Sequence, residues 1–285
     1  MSRIIRKTEL TRGIFELLIE APALAAKARP GHFVVVMADA QGERVPLTIA
    51  DYDPQEGTIT LVLAVVGASS RKLADLDEGA PLYALLGPLG HPSKLISSGA
   101  AILVAGGVGT APIYPIARAL RQQGVRVVAI QGARSASLLF WRDKLAAVCD
   151  RHIVVTDDGS QGRKGLVTAP LRELIEADPH RIGCVYAIGP GVMMKACAET
   201  TRPFAVPTVV SLNTIMVDGT GMCGGCRIRL GKQTLFTCVD GPEFDGHLVD
   251  WETVLHRQKI YVAEERCSLD RYVAESECGG SNSPV

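Results

Sequence analysis

The chain of 285 residues has no excess of charge of either sign and no long apolar run. Its 30 basic residues balance 30 acidic ones, and no basic stretch with interleaved aromatic residues indicates nucleic-acid binding. The apolar stretches at 59–66, 101–105 and 125–130 are far shorter than the roughly 20 residues of a transmembrane helix. The first residues lack the apolar core of a signal peptide. We therefore expect a soluble, cytoplasmic protein that binds neither nucleic acid nor membrane.

A regular disulfide framework is also absent, because the eight cysteines are unevenly placed. Three lie in one glycine-rich segment, whereas Cys149, Cys184 and Cys197 lie in apolar or helical surroundings. Without a secretory signal, the latter three are expected to be buried thiols in a reducing compartment. Cys267 and Cys278 lie in the polar C-terminal part. A disulfide between them, or a role as an additional metal ligand, is the alternative to two free thiols.

The order of the apolar patterns predicts two domains followed by a smaller segment. Short apolar or alternating runs between turn sequences predict an antiparallel β-barrel or sandwich in the first part. Alternating strand-like and helix-like segments then predict an α/β domain with a doubly wound parallel sheet. The rest contains a cysteine loop, a short strand pair and a helix near 249–258. The predicted boundaries are 1–97 for the β domain, 98–205 for the α/β domain, 206–270 for the cysteine-loop subdomain and 271–285 for a flexible tail.

The most informative motif is the spacing Asp-x4-Cys-x2-Cys-x11-Cys, formed by Asp218, Cys223, Cys226 and Cys238. It follows the C-x4-C-x2-C…C pattern of a [2Fe–2S] loop, with aspartate at the first ligand position. Glycines within the loop suit this role, since a backbone that wraps a cluster needs positive φ and close approach. A zinc knuckle shares the Cys-x2-Cys pair, but it usually has a second such pair or two histidines. The spacing favours the iron–sulfur cluster, and zinc is the alternative.

Two glycine-rich turns, each after a predicted strand of the α/β domain, indicate nucleotide binding. Glycine lets the backbone approach a phosphate, and the helix that follows offers free N–H groups. Both turns are expected at the carboxyl edge of the sheet, where ligands bind. The residues are Gly106, Gly107, Gly109 and Thr110 in the first turn and Gly189 and Pro190 in the second.

Two other segments are expected at the same edge of the sheet. Asp157 and Asp158 follow a strand, where they can receive ribose hydroxyls or merely cap a turn. Arg134 follows another strand, where it can pair with a 2′-phosphate or stack on adenine. From these residues alone the choice between NADH and NADPH stays open.

The β domain contains two segments suited to a phosphate-bearing ligand. In Arg44-Val-Pro46-Leu47-Thr48, the arginine can pair with a phosphate while the threonine reaches a ring heteroatom. A strand with an ordinary surface arginine is the alternative. Small and hydroxyl-bearing residues that suit a pyrophosphate follow at Gly67, Ser69 and Ser70.

Taken in this order, the motifs resemble those of the ferredoxin–NADP reductase superfamily over about residues 1–245. The cysteine loop after the nucleotide domain is similar to the electron-transfer subunit of class B dihydroorotate dehydrogenase. Two features differ from that subunit: Asp218 stands in place of the first cysteine, and the chain continues over 245–265. In both features the chain is similar to the small subunit of electron-bifurcating NADH-dependent ferredoxin:NADP oxidoreductase. That family is also described as sulfide dehydrogenase.

The resemblance implies the cofactors and their residues. It implies FAD in the barrel, NAD(H) rather than NADP(H) in the α/β domain, and a [2Fe–2S] cluster in the loop. The resemblance implies that Asp218, Cys223, Cys226 and Cys238 are the ligands of the cluster. The other residues that it implies are Arg44, Pro46, Leu47, Thr48, Ser69 and Ser70 for FAD, and Gly107, Gly109, Thr110, Asp158, Gly189 and Pro190 for the nicotinamide nucleotide.

The resemblance also implies an activity and partners. The chain would be an oxidoreductase subunit that exchanges a hydride between NAD(H) and FAD and passes single electrons through the cluster, with no catalytic side chain needed. Its partner would be a larger flavin and iron–sulfur subunit, similar to the small subunit of glutamate synthase, and ferredoxin would react through the complex. The alternatives are a subunit of dihydroorotate dehydrogenase, a subunit of a hydrogenase or sulfur reductase, and a zinc-stabilised nucleotide-binding regulator without redox function.

Overall fold

The computed structural model describes the backbone of residues 2–279 and the side chains of residues 2–275. Its first part is a six-stranded antiparallel sheet in the order β1-β2-β5-β4-β3-β6. The elements are β1 (Arg3–Thr11), β2 (Ile14–Glu20), α1 (Pro22–Ala25), β3 (Phe33–Met37), β4 (Val45–Asp53), β5 (Thr58–Ala64), α2 (Ala68–Asp75) and β6 (Ala84–Leu89).

The sheet curls into a barrel because its first strand meets the segment that precedes its last. The N–H of Ile4 donates to the carbonyl of Ala80, and the N–H of Leu82 donates to that of Ser2. Alternate side chains of the strands fill the interior with aliphatic residues. The sequence pattern did not predict β1, since most of its side chains are polar or exposed.

The second part is a sheet in the order β10-β9-β8-β7-β11-β12, extended at the β12 edge by a strand from the C-terminal part. Neighbouring strands of these six are parallel. The elements are β7 (Ala100–Gly106), α3 (Thr110–Gln122), β8 (Val127–Ala133), α4 (Arg142–Ala146), β9 (Arg151–Thr156), β10 (Arg163–Lys164), α5 (Thr168–Ala177), β11 (Ile182–Ile188), α6 (Gly191–Thr201) and β12 (Thr208–Ser211).

Helices cover both faces of this sheet, as a doubly wound fold requires. Alternate residues of β7 face opposite ways, so that Leu103 packs with α3 and α4 while Val104 packs with α5 and α6. The apolar pattern of residues 138–148 is typical of a longer helix than α4, which begins only at Arg142 because Trp141 adopts a left-handed conformation (φ 53°).

The third part contains the cysteine loop and contacts both domains. Its elements are β13 (Arg227–Leu230), β14 (Gln233–Phe236), α7 (Thr237–Asp240), β15 (Glu243–Asp245), α8 (Trp251–Arg257) and α9 (Val262–Gly279). β13 and β14 form the predicted strand pair, and β15 pairs antiparallel with β12 at the edge of the parallel sheet. Trp251 and Val254 of α8 are buried in the core of the α/β domain.

Helix α9 extends into the first part of the predicted flexible tail. Helix α9 continues past residue 270 to Gly279, and the hydroxyl of Tyr272 donates a hydrogen bond to Asp75 of α2 (3.2 Å). The polar sequence hid this helix because most of its described side chains are exposed. Residues 280–285 of the predicted tail lie outside the described residues. Among the described residues, no helix has the length and apolar character needed to span a bilayer.

Candidate functional site

The outer face of the barrel at β3 and β4 brings the predicted flavin strand beside the cysteine loop. Thr48 lies directly opposite Phe33, and Pro46 lies opposite Val35. Side chains of opposed residues project from the same face of a sheet, so these four share the outer face. Leu47, one position out of phase, packs against the barrel core. The strand alternation thus turns the Leu47 side chain toward the barrel interior, and its part in FAD binding stays a prediction.

Arg44 and the start of α2 form the polar end of this face. Arg44 is exposed immediately before β4. The Ser69 hydroxyl donates to the Glu43 carboxylate, which comes from the same loop as Arg44. The Ser70 hydroxyl oxygen instead accepts the N–H of Gly67 (3.0 Å) and so closes the start of α2. Arg44 is thus open to solvent, the Ser69 hydroxyl is engaged by the Glu43 carboxylate, and Ser70 has a capping role.

The two predicted nucleotide turns pack against each other, backbone to backbone. A Cβ atom on Gly109 would collide with the carbonyl group of Ile188, and one on Gly189 would lie 3.0 Å from the Cα of Gly106. A Cβ atom on Gly106 would in turn lie 2.9 Å from the ring of Pro190. These glycines therefore permit β7 and β11 to end side by side, which places both turns at one edge.

Gly107 differs from the other glycines of its turn. It has a positive φ of 54°, and a Cβ atom built on it would meet no atom within 4 Å. Its backbone is thus the part of the turn that is open to a ligand. Thr110, by contrast, is buried, and its hydroxyl oxygen accepts a hydrogen bond from Gln131 (3.2 Å). The side chain of Thr110 therefore faces the interior rather than the predicted nucleotide site.

Gln131 is a buried polar residue that the sequence pattern did not reveal. Its amide nitrogen also donates to the carbonyl of Phe140 (2.8 Å), and its amide oxygen lies 3.0 Å from the ring of His152. This network links β8 to the start of α3 and to the residues before α4. A single glutamine in an otherwise apolar strand is the one sequence signal that could have indicated it.

Asp158 and Arg134 lie together at the carboxyl edge of the sheet. The N–H of Asp158 donates to the carbonyl of Arg134 (3.2 Å). The Asp158 carboxylate accepts both the hydroxyl (2.6 Å) and the N–H (2.9 Å) of Ser160, and these bonds lower its pKa. Asp158 therefore caps its turn in this structure, while the exposed Arg134 side chain lies beside it.

The first glycine turn is pressed against the flavin strand. Ala50, on the same face of β4 as Thr48, belongs to an apolar cluster with Ala111 of α3, and Val108 packs against that cluster. One position further, Asp51 forms ion pairs with Arg118 of α3 and with Lys144 of α4 (2.8 Å for the latter). β4 thus contacts the glycine-turn helix around Ala50 and Asp51, and its segment Val45–Thr48 pairs with β3, on which the cysteine loop packs.

The cysteine loop packs on the outer face of β3. Cys226 and Cys238 are buried beside Phe33 and Val35, and their sulfur atoms lie 3.2 Å apart. Burial and the neighbouring Cys226 thiol raise the pKa of Cys238. Gly219, with a φ of 76°, lies so close to Val35 that a Cβ atom would come within 2.8 Å of it. The wall of the loop is therefore a barrel strand, which no motif in the loop could indicate.

The other two predicted ligands form the exposed side of the loop. The Asp218 carboxylate accepts the N–H groups of Thr220 (2.6 Å) and Cys223 (2.6 Å), and these bonds lower its pKa and keep it ionised. Cys223 is exposed, and its sulfur accepts the N–H of Gly225 (3.3 Å). In the described part of the chain, no three ligand-type side chains already surround one point.

The donor set nevertheless fits a [2Fe–2S] cluster. The cysteine loop and α7 together carry three thiols and an ionised carboxylate, two of the thiols are in contact, and none of the three is in a disulfide. Three glycines of the loop, at 219, 221 and 224, have positive φ, which gives the backbone the tight turns that wrapping a cluster requires. A zinc ribbon would need a fourth nitrogen or sulfur donor, and this loop offers a carboxylate instead.

A buried carboxyl group marks the junction of the three parts. Glu243 of β15 accepts the hydroxyl of Ser93 (2.6 Å), in the segment that joins the barrel to the α/β domain. The Cα of Gly31 also faces it, since a Cβ atom there would lie 3.2 Å from its carboxyl oxygen. Desolvation by the surrounding protein raises the pKa of Glu243 to about 7.

The raised pKa of Glu243 predicts a pH-dependent stability. The folded protein holds a proton on this carboxyl between the unfolded value near 4.5 and about 7, so the free energy of unfolding falls as pH rises through that window. Each pKa unit corresponds to at most about 1.4 kcal/mol. We expect Glu243→Gln, measured by urea unfolding at pH 5 and pH 8, to reduce the loss of stability between them. An equal loss in Glu243→Gln and in the natural chain would contradict this.

Comparison with known proteins agrees with this architecture. Residues 213–250 match the family model of the iron–sulfur cluster binding domain of dihydroorotate dehydrogenase B, and residues 103–199 match that of the oxidoreductase NAD-binding domain. The chain is similar to a dihydroorotate dehydrogenase B (NAD(+)) electron transfer subunit homolog of Thermotoga maritima, with 42% identity over 96% of each chain. It is 44% identical, over 93% of its length and 92% of the relative's, to an uncharacterised protein of Clostridium beijerinckii.

Among solved structures, one chain of the NADH-dependent reduced ferredoxin-NADP oxidoreductase is similar over nearly the whole length. The two sequences are 41% identical, the match covers 96% of this chain and 98% of the other, and the structures superpose with a TM-score of 0.89. Phthalate dioxygenase reductase, at 17% identity and a TM-score of 0.58 over 81% of this chain, shares the fold. The predicted fold class is confirmed, and so are the predicted nicotinamide-binding and iron–sulfur domains. The individual ligand residues and the exact domain boundaries stay predictions.

Proposed function

Because the chain belongs to the family of dihydroorotate dehydrogenase B electron-transfer subunits and their homologues, we propose that it transfers electrons between NAD(H) and a partner subunit through FAD and a [2Fe–2S] cluster. It exchanges a hydride with the nucleotide and single electrons with the partner. The complex it serves is of the electron-bifurcating NADH-dependent ferredoxin:NADP oxidoreductase type, in which ferredoxin reacts with the assembled enzyme.

The observation that carries this proposal is the position of β4. Pro46, Thr48 and Ala50 project from one face of this strand, and the two neighbours of that face belong to different parts of the chain. On one side the buried cysteines of the loop pack on Phe33 and Val35. At the other end the glycine turn before α3 packs on the cluster around Ala50. A flavin held on this face lies between a nucleotide site and a cluster site.

The chain supplies binding and position rather than acid–base groups. Flavin supplies the conversion between two-electron and one-electron transfer, because it accepts a hydride and releases electrons singly. Arg44 and Ser69 bind its phosphates, while Pro46 and Thr48 lie against the ring. Gly107 admits the nucleotide diphosphate, and the ion pairs of Asp51 hold α3 against β4. Asp218, Cys223, Cys226 and Cys238 hold the cluster.

An exposed apolar rim around the cysteine loop is the surface for the partner. Three predicted ligands each have an exposed apolar neighbour in sequence, and Met222, beside Cys223, is 89% exposed. Val217 precedes Asp218 and lies near Gly225, while Val239 follows Cys238 and packs against Gly221. Such a rim is costly in water and suits a protein that excludes solvent from the path of an electron. The partner is the larger flavin and iron–sulfur subunit.

A dihydroorotate dehydrogenase subunit is the second candidate, because several curated relatives carry that name. The subunit of Bacillus caldolyticus is 34% identical and covers 81% of this chain, whereas the reduced ferredoxin-NADP oxidoreductase chain is 41% identical and covers 96%. Coverage does not separate the candidates, because the Thermotoga maritima relative named as a homolog of that subunit is 42% identical over 96% of this chain. Asp218 in place of the first cysteine favours the first candidate. Assays of the purified complex separate the two: one oxidises dihydroorotate, and the other couples NADPH to NAD(+) and ferredoxin.

The first test is the visible spectrum of the anaerobically purified chain, with FAD, iron and zinc quantified on the same sample. We expect flavin bands with a broad absorption to the red, about one FAD and about two irons per chain. Anaerobic NADH is expected to bleach the flavin bands. A colourless, zinc-loaded protein would leave only a nucleotide-binding fold and would refute the redox function.

A further inference from the structure

Two arginine side chains hold consecutive carbonyl groups of the Cys223-Gly-Gly-Cys226 turn. Arg257, the last residue of α8, donates to the carbonyl of Gly225 (2.7 Å). Arg227, which follows the turn directly, donates to the carbonyl of Gly224 (3.1 Å). Both guanidinium groups therefore lie at the segment that joins two of the predicted ligands. No other charged side chain donates a hydrogen bond to this segment in the described part of the chain.

Arg257 reaches the turn from a helix that the rest of the protein fixes. At the start of α8, Trp251 is buried and its indole N–H donates to the carbonyl of Gly246 (3.0 Å). Val254 is buried in the core of the α/β domain. At the end of α8, the amide of Gln258 donates to the carbonyl of Asn213 (2.9 Å). The guanidinium is thus held at a defined place, and it is half-buried, which reduces its screening by solvent.

The two arginines differ in exposure and in how they are attached. Arg227 is exposed and bonds a carbonyl only three residues away, so its charge is more strongly screened. Arg257 is 32 residues from Gly225 in sequence, so its bond ties the cysteine turn to a separate element. A cluster with three thiolate ligands and one carboxylate ligand carries net negative charge, and one more electron increases it. A fixed cation nearby stabilises the reduced form more than the oxidised form.

We infer that Arg257 is a positioning residue that holds the Cys223–Cys226 turn and raises the reduction potential of the cluster, with a smaller contribution from Arg227. This rests on the proposed function, since it requires the cluster to be present. Net charge and hydrogen bonding around a cluster are known determinants of its potential. The positive charge of Arg257 and its hydrogen bond both lie at the turn between Cys223 and Cys226.

The test is a redox titration of the cluster, followed by electron paramagnetic resonance, in the full-length chain. Arg257→Gln removes the charge and keeps a hydrogen-bond donor, Arg257→Lys keeps the charge, and Arg266→Gln removes a charge from the exposed surface of α9 as a control. At a fixed potential we expect Arg257→Gln to lower the ratio of reduced to oxidised cluster about tenfold, which is about 59 mV for one electron. Arg257→Lys and Arg266→Gln are expected to stay within about threefold of the natural chain.

The outcomes distinguish this inference from the proposed function. A natural chain without iron would refute the function itself. Iron-loaded Arg257→Gln with the same titration as Arg266→Gln would overturn the inference, and so would an equal shift in Arg257→Lys. If Arg257→Gln retains no iron, Arg227→Gln decides: a smaller shift to lower potential supports the inference, and a titration identical to that of Arg266→Gln overturns it.

Discussion

Replacing Cys238 by alanine is expected to abolish iron binding while FAD remains bound. Cys238 lies in α7, its sulfur is 3.2 Å from that of Cys226, and the two fill the space between the loop and β3. Without this sulfur, one iron would keep a single protein ligand, because four ligands serve the two irons. We expect iron to fall from about two atoms per chain to near zero, and the red absorption to disappear with it.

FAD is expected to stay near one per chain in this variant, because the predicted flavin residues lie on β4, a strand of the barrel, and not in the cysteine loop. Cys197→Ala is the matched control: its thiol is equally buried, in α6, and belongs to the α/β core. That variant is expected to keep its iron and its absorption spectrum. Full iron content in Cys238→Ala would show that Cys238 is not a ligand. Equal loss in both variants would indicate general unfolding.

The ligand spacing and the glycine turns were predictable because both are local. Cluster and nucleotide sites need particular residue types within a few positions of one another, and such patterns are visible in the sequence. The same holds for the alternation of strands and helices, whose periodicities differ. In contrast, Phe33 and Val35 form the wall of the cysteine loop only because the fold brings β3 next to Cys226 and Cys238, about 200 positions later in the chain.

Two predicted site residues, and one residue that no motif contains, illustrate why such long-range contacts matter. Leu47 lies in the predicted flavin segment, yet the alternation of β4 turns its side chain into the barrel. The hydroxyl of Thr110 bonds buried Gln131, a partner from the next strand that its own motif does not contain. Arg257 lies outside every motif, although its side chain reaches the turn between two predicted ligands. In each case the surroundings of the side chain depend on residues that are distant in sequence, and the local sequence pattern does not contain that information.

Gly109 of the first glycine turn is also defined by a tertiary contact, here with Ile188. We expect Gly109→Ala to lower both the stability of the chain and its affinity for NADH. The φ of Gly109 is −58°, which alanine adopts freely, so backbone strain plays no part. The obstacle is the Ile188 carbonyl group, a backbone group that cannot rotate away from the new methyl. Overpacking of this kind costs about 3 kcal/mol. For a chain of this size that lowers the melting temperature by roughly 6–10 °C.

The variant is also expected to bind NADH at least about tenfold more weakly, because separating β7 from β11 moves the two turns apart. Gly124→Ala is the control: Gly124 has a φ of 76° and open space around it, so alanine meets strain of about 1 kcal/mol without a collision. We expect it to lower the melting temperature slightly and to leave NADH affinity unchanged, as measured by calorimetry and fluorescence titration. Equal melting temperatures in the two variants would contradict the collision at Gly109. Unchanged affinity in Gly109→Ala would place the nucleotide elsewhere than between these turns.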